Sequence, residues 1–233
     1  MKRILVGVVA VLLLTNVSGA VRAEEGGAAH AQEGIEVEVG VKAWFNKWKR
    51  ELPTDETSRS KCSRLFGPTV EVKLPVHIFA EASYMTSLND YRVNEAVGQK
   101  KFDRKDIDAA VGYAITPAVS VLAGYKQSKF KEESGNKETA YGPIAGVRGS
   151  LALNEKTSFY GGLNYLLTKL KVEDAAGAVT EKSPGWIAEL GVNYEVAAHM
   201  GVDLGYKYET TKGKDSKVKD TFAGLTLGVK YAF

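Results

Sequence analysis

The groups in this 233-residue chain that could do proton-transfer or nucleophilic chemistry are three histidines, one cysteine and 28 carboxylates. A histidine serves as a general base only with a hydroxyl or thiol within hydrogen-bond reach, about 2.6–3.2 Å. His30 falls in a Gly/Ala-rich stretch, His77 follows Pro75-Val76, and His199 follows Ala197-Ala198. All three therefore belong to a tail or a turn, and the nearest pairing we expect is His77 with Glu71 or Glu36. Cys62 is alone, so it has no intramolecular disulfide partner, and no Cys-x-x-Cys-His run offers covalent haem attachment. It reads as an incidental loop thiol. We expect no cofactor, no metal site and no catalytic centre.

The charges are more informative than the nucleophiles. Lysine and arginine number 31 against 28 acids, a formal +3. Lys2, Arg3 and Arg22 account for that excess, and the rest of the chain is neutral. A basic nucleic-acid surface is therefore not supported. Those three cations flank the apolar run Ile4–Leu14, which is followed by small residues up to Val21-Arg22-Ala23. This is the pattern of an export signal cleaved before Glu24. Eleven apolar residues fall short of the roughly 20 a membrane helix needs. We read residues 1–23 as a signal peptide, 24–33 as a flexible tail and 34–233 as one domain.

The elements that must hold the remaining charges are strands. Apolar residues recur with period two, as in Ile35-Val37-Val39-Val41-Ala43-Phe45 against Glu36-Glu38-Gly40-Lys42-Trp44. The same alternation runs through 106–115, 186–196 and 224–233. Ten strands are predicted: 34–48, 66–74, 76–87, 103–115, 118–129, 139–153, 156–171, 184–196, 199–211 and 219–233. The segment 66–74 is short and bracketed by prolines; without it the count falls to eight. Tight breaks at Pro75, Pro117, Glu155 and Ala198 alternate with longer polar stretches near 49–65, 88–102, 130–138, 172–183 and 212–218. Short turns on one side and long loops on the other are the habit of a transmembrane β-barrel. The fold class is all-β: a closed antiparallel up-and-down barrel of about ten strands.

Three features orient the two faces. The polar faces carry charges in mid-strand: Glu36, Glu38, Lys42, Glu71, Lys73, Glu81, Asp106, Asp108, Lys126, Arg148, Glu189, Asp203, Lys207 and Lys230. Both signs are present, which suits a lumen of matched ion pairs better than a single-sign selectivity ring. Those faces are also rich in glycine, relieving crowding inside a small barrel. On the apolar faces, Tyr84, Tyr125, Tyr141, Tyr165, Trp186 and Tyr208 lie toward the loop side, and Tyr113, Tyr194, Tyr231 and Phe233 toward the turn side. Two aromatic girdles mark two membrane interfaces, so the apolar face points to lipid.

The last segment, Leu225, Leu227, Val229, Tyr231 and Phe233 at alternate positions, resembles the assembly signal of bacterial outer-membrane barrels. With the export signal and the turn/loop alternation, the chain resembles a small outer-membrane β-barrel protein of the broad OmpA/OmpX/OmpW-like type. The resemblance implies an outer-membrane location, contact with its lipid and lipopolysaccharide, and passage through the barrel-assembly machinery. With nothing after Phe233, the peptidoglycan-binding domain of the OmpA type is expected to be absent. Enzymatic barrels of this location place a histidine near the outer rim, where none of the three maps. A monomer with a structural or surface-interaction role is expected, its lumen plugged by ion pairs; the alternative is a narrow channel. Lys129, Lys131, Lys212 and Lys214 are the expected lipopolysaccharide contacts.

Overall fold

The computed structural model describes residues 34–54, 56–95 and 98–233; the signal peptide, the tail and His30 lie outside the described residues. Every regular element among them is a strand. Ten strands form the ring: β1 (Glu36–Glu51), β3 (Ser63–Lys73), β4 (Ile78–Ser87), β6 (Gly98–Thr116), β7 (Val119–Glu132), β8 (Lys137–Ala152), β9 (Thr157–Leu166), β12 (Gly185–Ala197), β13 (Met200–Lys212) and β14 (Lys219–Ala232). Each pairs antiparallel with the next, and β14 closes on β1 from Glu38↔Ala232 to Glu51↔Lys219. Closure leaves no ring edge unpaired, which a sheet in hydrocarbon requires.

The short segment that could have lowered the count to eight is a full ring strand. β3 runs from Ser63, and Pro68 is accommodated opposite Val41. Four further strands stand in the stretches expected to be plain loops: β2 (Thr57–Arg59), β5 (Tyr91–Glu95), β10 (Lys169–Asp174) and β11 (Gly177–Lys182). β2 pairs with β1, β5 with β6, and the β10–β11 hairpin continues the wall of β8 beyond the end of β9. At that step the backbone is satisfied by Leu167 N–H to Pro143 O (2.9 Å) and Ser183 N–H to Thr168 O (2.8 Å).

The faces sort as the alternation requires. Val41, Phe45, Val111, Val147, Leu163, Leu190, Leu204, Leu225 and Leu227 point outward and stay exposed, an apolar belt facing lipid. The buried side chains point inward, in two apolar clusters separated by charged residues. Turns are tight at one end, where His77 and His199 take φ values of 63° and 66°. Their carbonyls accept from Ala114 N–H and Ala232 N–H, each at 2.8 Å, tying each turn to the neighbouring hairpin.

Candidate functional site

The lumen is built in layers. At the loop end Trp48 from β1 sits among Phe222 (centroids 5.6 Å, stacked), Phe130 (5.5 Å), Phe102 (5.1 Å) and Tyr91 (6.1 Å, edge-on). Tyr91 arrives from β5, outside the ring, and donates its hydroxyl to Asn46 Oδ1 at 2.8 Å. Trp48 Nε1 donates to Asp220 Oδ1 at 2.8 Å. Arg50 lies 4.7 Å from the Trp48 ring, bonds Asp220 through Nε (2.7 Å), and makes a two-point contact with Glu138 (2.9 and 2.6 Å). β1 and β8 stand five places apart in a ring of ten, so the Arg50–Glu138 pair spans the full width of the barrel.

Below the aromatic layer lies a fully enclosed charge cluster. Arg104, with no exposed surface, donates to Asp106 at 2.8 Å and to Glu209 at 2.9 Å, and its guanidinium carbon lies 4.1 Å from the Phe222 ring. Lys126 reaches Asp108 at 3.0 Å and Glu209 at 3.3 Å. β6 and β13, which carry Arg104 and Glu209, are again five places apart. Lys207 Nζ stands 4.7 Å from the Trp44 ring. A second apolar cluster follows: Phe79, Ala110, Leu122, Ile144, Leu166 and Ile187. Phe79 lies flat on Gly112, its register partner, where an added Cβ would come within 2.1 Å of the ring.

The turn end is polar and more open. Arg148 grips Glu81 at two points (2.8 Å each) and stands 3.8 Å from Glu71. Lys42 pairs with Glu189 at 2.5 Å, three places around the ring. Lys73 bonds Glu36 (2.7 Å) and Glu38, and Lys230 bonds Glu38 (2.9 Å). A cavity of about 410 Å³ opens here among Glu36, Glu38, Asn193, Glu195, His199 and Lys230. Asp203 lies on the inward face of β13, its carboxylate over Gly228 of β14.

The other expected residues fall elsewhere. Leu225, Leu227, Val229 and Tyr231 form the outward face of β14, opposite Phe45, Ala43, Val41 and Val39. Phe233 continues that face, with its N–H bonded to Val37 O at 2.9 Å. Lys129 and Lys131 point outward from β7, Lys212 ends β13 opposite Lys219, and Lys214 N–H bonds Lys182 O at 2.8 Å. The expectation for His77 needs correction. Its ring packs against Tyr113 (6.4 Å), an outward girdle residue, instead of Glu71 or Glu36, because the left-handed φ at the turn swings the side chain out of the lumen. His199 packs on Tyr231 (6.2 Å) at the rim of the turn-end cavity. Cys62 is exposed.

Sequence reasoning missed Arg50, Arg104, Glu138, Glu209, Asp220 and the whole aromatic layer. Arg50 continues the inward period 36, 38, … 48, which was the available signal. Outside the ring, Glu181 of β11 pins the 213–218 loop by accepting from Asp215 N–H (2.8 Å), Ser216 N–H (2.9 Å) and the Ser216 hydroxyl. Partial burial works to raise its pKa, but these three donors outweigh it and hold the carboxyl below its ordinary value.

The closed ring, the outward apolar belt and the ion-paired lumen accord with sequence comparison: residues 76–233 match the family model described as the outer membrane protein beta-barrel domain. The chain belongs to that family. The match takes in eight of the ten ring strands and leaves β1 and β3 before it. It places the protein in the outer membrane of the cell. Among solved structures, the outer membrane protease OmpT from Escherichia coli is similar at 13% identity and TM-score 0.56, over 85% of this chain and 96% of that one. The translocator domain of the autotransporter NalP from Neisseria meningitidis is similar at 12% identity and TM-score 0.51, over 87% and 90%. Ail, the attachment invasion locus protein of Yersinia pestis, aligns at 15% identity and TM-score 0.38, over 84% and 98%. At such identities the likeness is one of fold. No curated protein matches the chain in sequence.

Proposed function

We propose that this barrel is a monomeric, closed-lumen scaffold of the outer membrane whose loop end meets surface partners and which carries out no catalysis. The observation that supports it best is the Arg104–Glu209 bridge between diametrically opposite strands, enclosed under the Trp48–Phe222–Phe130 layer. Eight strands enclose just enough room for side chains to fill, and 16 or more leave an aqueous channel. Ten strands give a slightly wider lumen, which the aromatic layer and the cross-lumen arginines occupy. Against catalysis, the two described histidines sit in turns against girdle tyrosines, away from the loop end. The likeness to OmpT, at 13% identity, is one of fold, and neither histidine among the described residues stands at the loop end.

Planar-bilayer recording of the purified, folded chain tests this reading. No steady conductance steps are expected at high salt. Steady steps would overturn the closed lumen and favour the narrow channel.

A further inference from the structure

Inside the barrel every row of like charge has its counter-ions: the acids Glu38, Glu71 and Glu81, opposite one another in register, are answered by Lys73, Lys230 and Arg148. On the outer wall at the loop end, like faces like. Lys105 of β6 stands directly opposite Lys129 of β7, Lys131 of β7 opposite Lys137 of β8, and Lys169 of β10 opposite Lys182 of β11. All six are exposed and share one outward face. Lys171 joins them, opposite Thr139 and Thr180. Three carboxylates stand on that face: Asp103 opposite Lys131, Glu133 paired with Lys101 at 3.2 Å, and Glu173 opposite Lys137 and bonded to Lys171 at 2.8 Å. Like charges directly across a strand pair destabilise the sheet. Unlike the acidic row of the lumen, this lysine face carries far fewer counter-charges than cations, so it is net positive and attracts anions.

The position of the wall says which anion. Gln127 and Tyr141 lie one outward step below Lys129 and Thr139 in register, so Lys129 and its partner Lys105 sit about 7 Å above the level of girdle Tyr141, and Lys169 stands directly beside that tyrosine. That is headgroup depth, where phosphates of the outer leaflet lie. The lysines form two groups: 105/129/131/137 on β6–β8, and 169/182 on the hairpin. Their carrier strands β7 and β10 are two strand spacings apart, about 10 Å. We propose that this wall binds a diphosphorylated glycolipid headgroup, the lipid A portion of lipopolysaccharide, one phosphate to each lysine group. The proposal rests on the loop end facing the outer leaflet but not on the lumen being closed, so a conducting barrel would leave it standing.

The folded full chain in zwitterionic detergent micelles, doped with diphosphorylated lipid A, tests it by thermal unfolding. With lipid A at about a hundred times its dissociation constant, the midpoint should rise by about 5–10 °C. Dephosphorylated lipid A should give no rise. The K105Q/K129Q/K131Q/K137Q variant should unfold above the wild type without lipid, since the repulsion is gone, and bind lipid A at least tenfold more weakly. K156Q, on a turn at the other end, should behave as wild type. If the fourfold variant does not fold, K169Q/K182Q takes its place with the same expectation. An equal shift with dephosphorylated lipid, a full shift with inorganic phosphate alone, or undiminished affinity in the lysine variants would each overturn the assignment.

Discussion

Arg104 carries the greatest electrostatic burden of any side chain in the lumen. Its guanidinium is stripped of water and bonds Asp106 through Nε and Glu209 through Nη2, with the rings of Phe222, Phe130 and Trp44 around it and Nη1 left without a hydrogen-bond partner. A planar cation that stacks and forks in this way is not replaceable by lysine. Removing it leaves Asp106 and Glu209 enclosed, with Lys126 as the cation within ion-pair distance of both. We expect Arg104→Ala to cost about 3–5 kcal/mol in urea unfolding from lipid vesicles, and a double change of Arg104 to Met with Glu209 to Leu to recover most of that loss. An equal loss in the double variant would mean that ring packing, and not charge pairing, is what Arg104 supplies. Arg104 was not legible in the sequence. In Lys100-Lys101-Phe102-Asp103-Arg104-Lys105 both faces are charged, so alternation has no contrast with which to mark the inward side. Glu209 is hidden for a related reason, since it falls between Tyr208 and Thr210 close to a strand end.

At the scale of the strand, the outward belt is the determinant of where the protein can live. Val111 on β6 and Val192 on β12 face lipid in mid-strand, exposed by 57% and 37%. Placing arginine at either position should cost about 2–4 kcal/mol near the bilayer midplane. Folding titrations into vesicles would measure it, and tolerance of both substitutions would contradict the lipid-facing assignment. Period two made these ring strands readable, because each passes between water-like lumen and lipid and every second residue must change character. The same logic fails above the membrane. β2 and β11 carry polar residues on both faces, so Thr57–Arg59 or Gly177–Lys182 looks like any solvated loop, and β5 and β10 alternate over only five or six residues within polar stretches. The consequence was a missed cap: Tyr91, delivered by β5, is a side chain that reaches into the lumen from outside the ring.

For the whole molecule, the closing seam decides integrity. β1 and β14, the first and last ring strands, are joined along nearly their whole length, and every other ring pairing is between strands consecutive around the chain. The family match begins after β3, so the hairpin that receives the final strand lies before the matched residues. It contributes Trp44, Trp48, Leu65 and Arg50 to the lumen layers. The seam therefore couples the closure of the ring to the filling of its lumen.

The hydrogen bond from Phe233 N–H to Val37 O places the end of the last strand beside the start of the first, on the turn side. In the language of chain connectivity, the ring is nearly a closed loop already and could be cut elsewhere. A circular permutant joining Phe233 to Glu36 by a short linker, with new ends in the loop at 133–136, keeps every ring pairing. It should refold in detergent to a barrel of wild-type stability. In cells it should fail to insert, because Leu225 to Phe233 no longer lies at the end of the chain. Normal insertion of the permutant would show that the assembly machinery reads the seam itself and not its terminus.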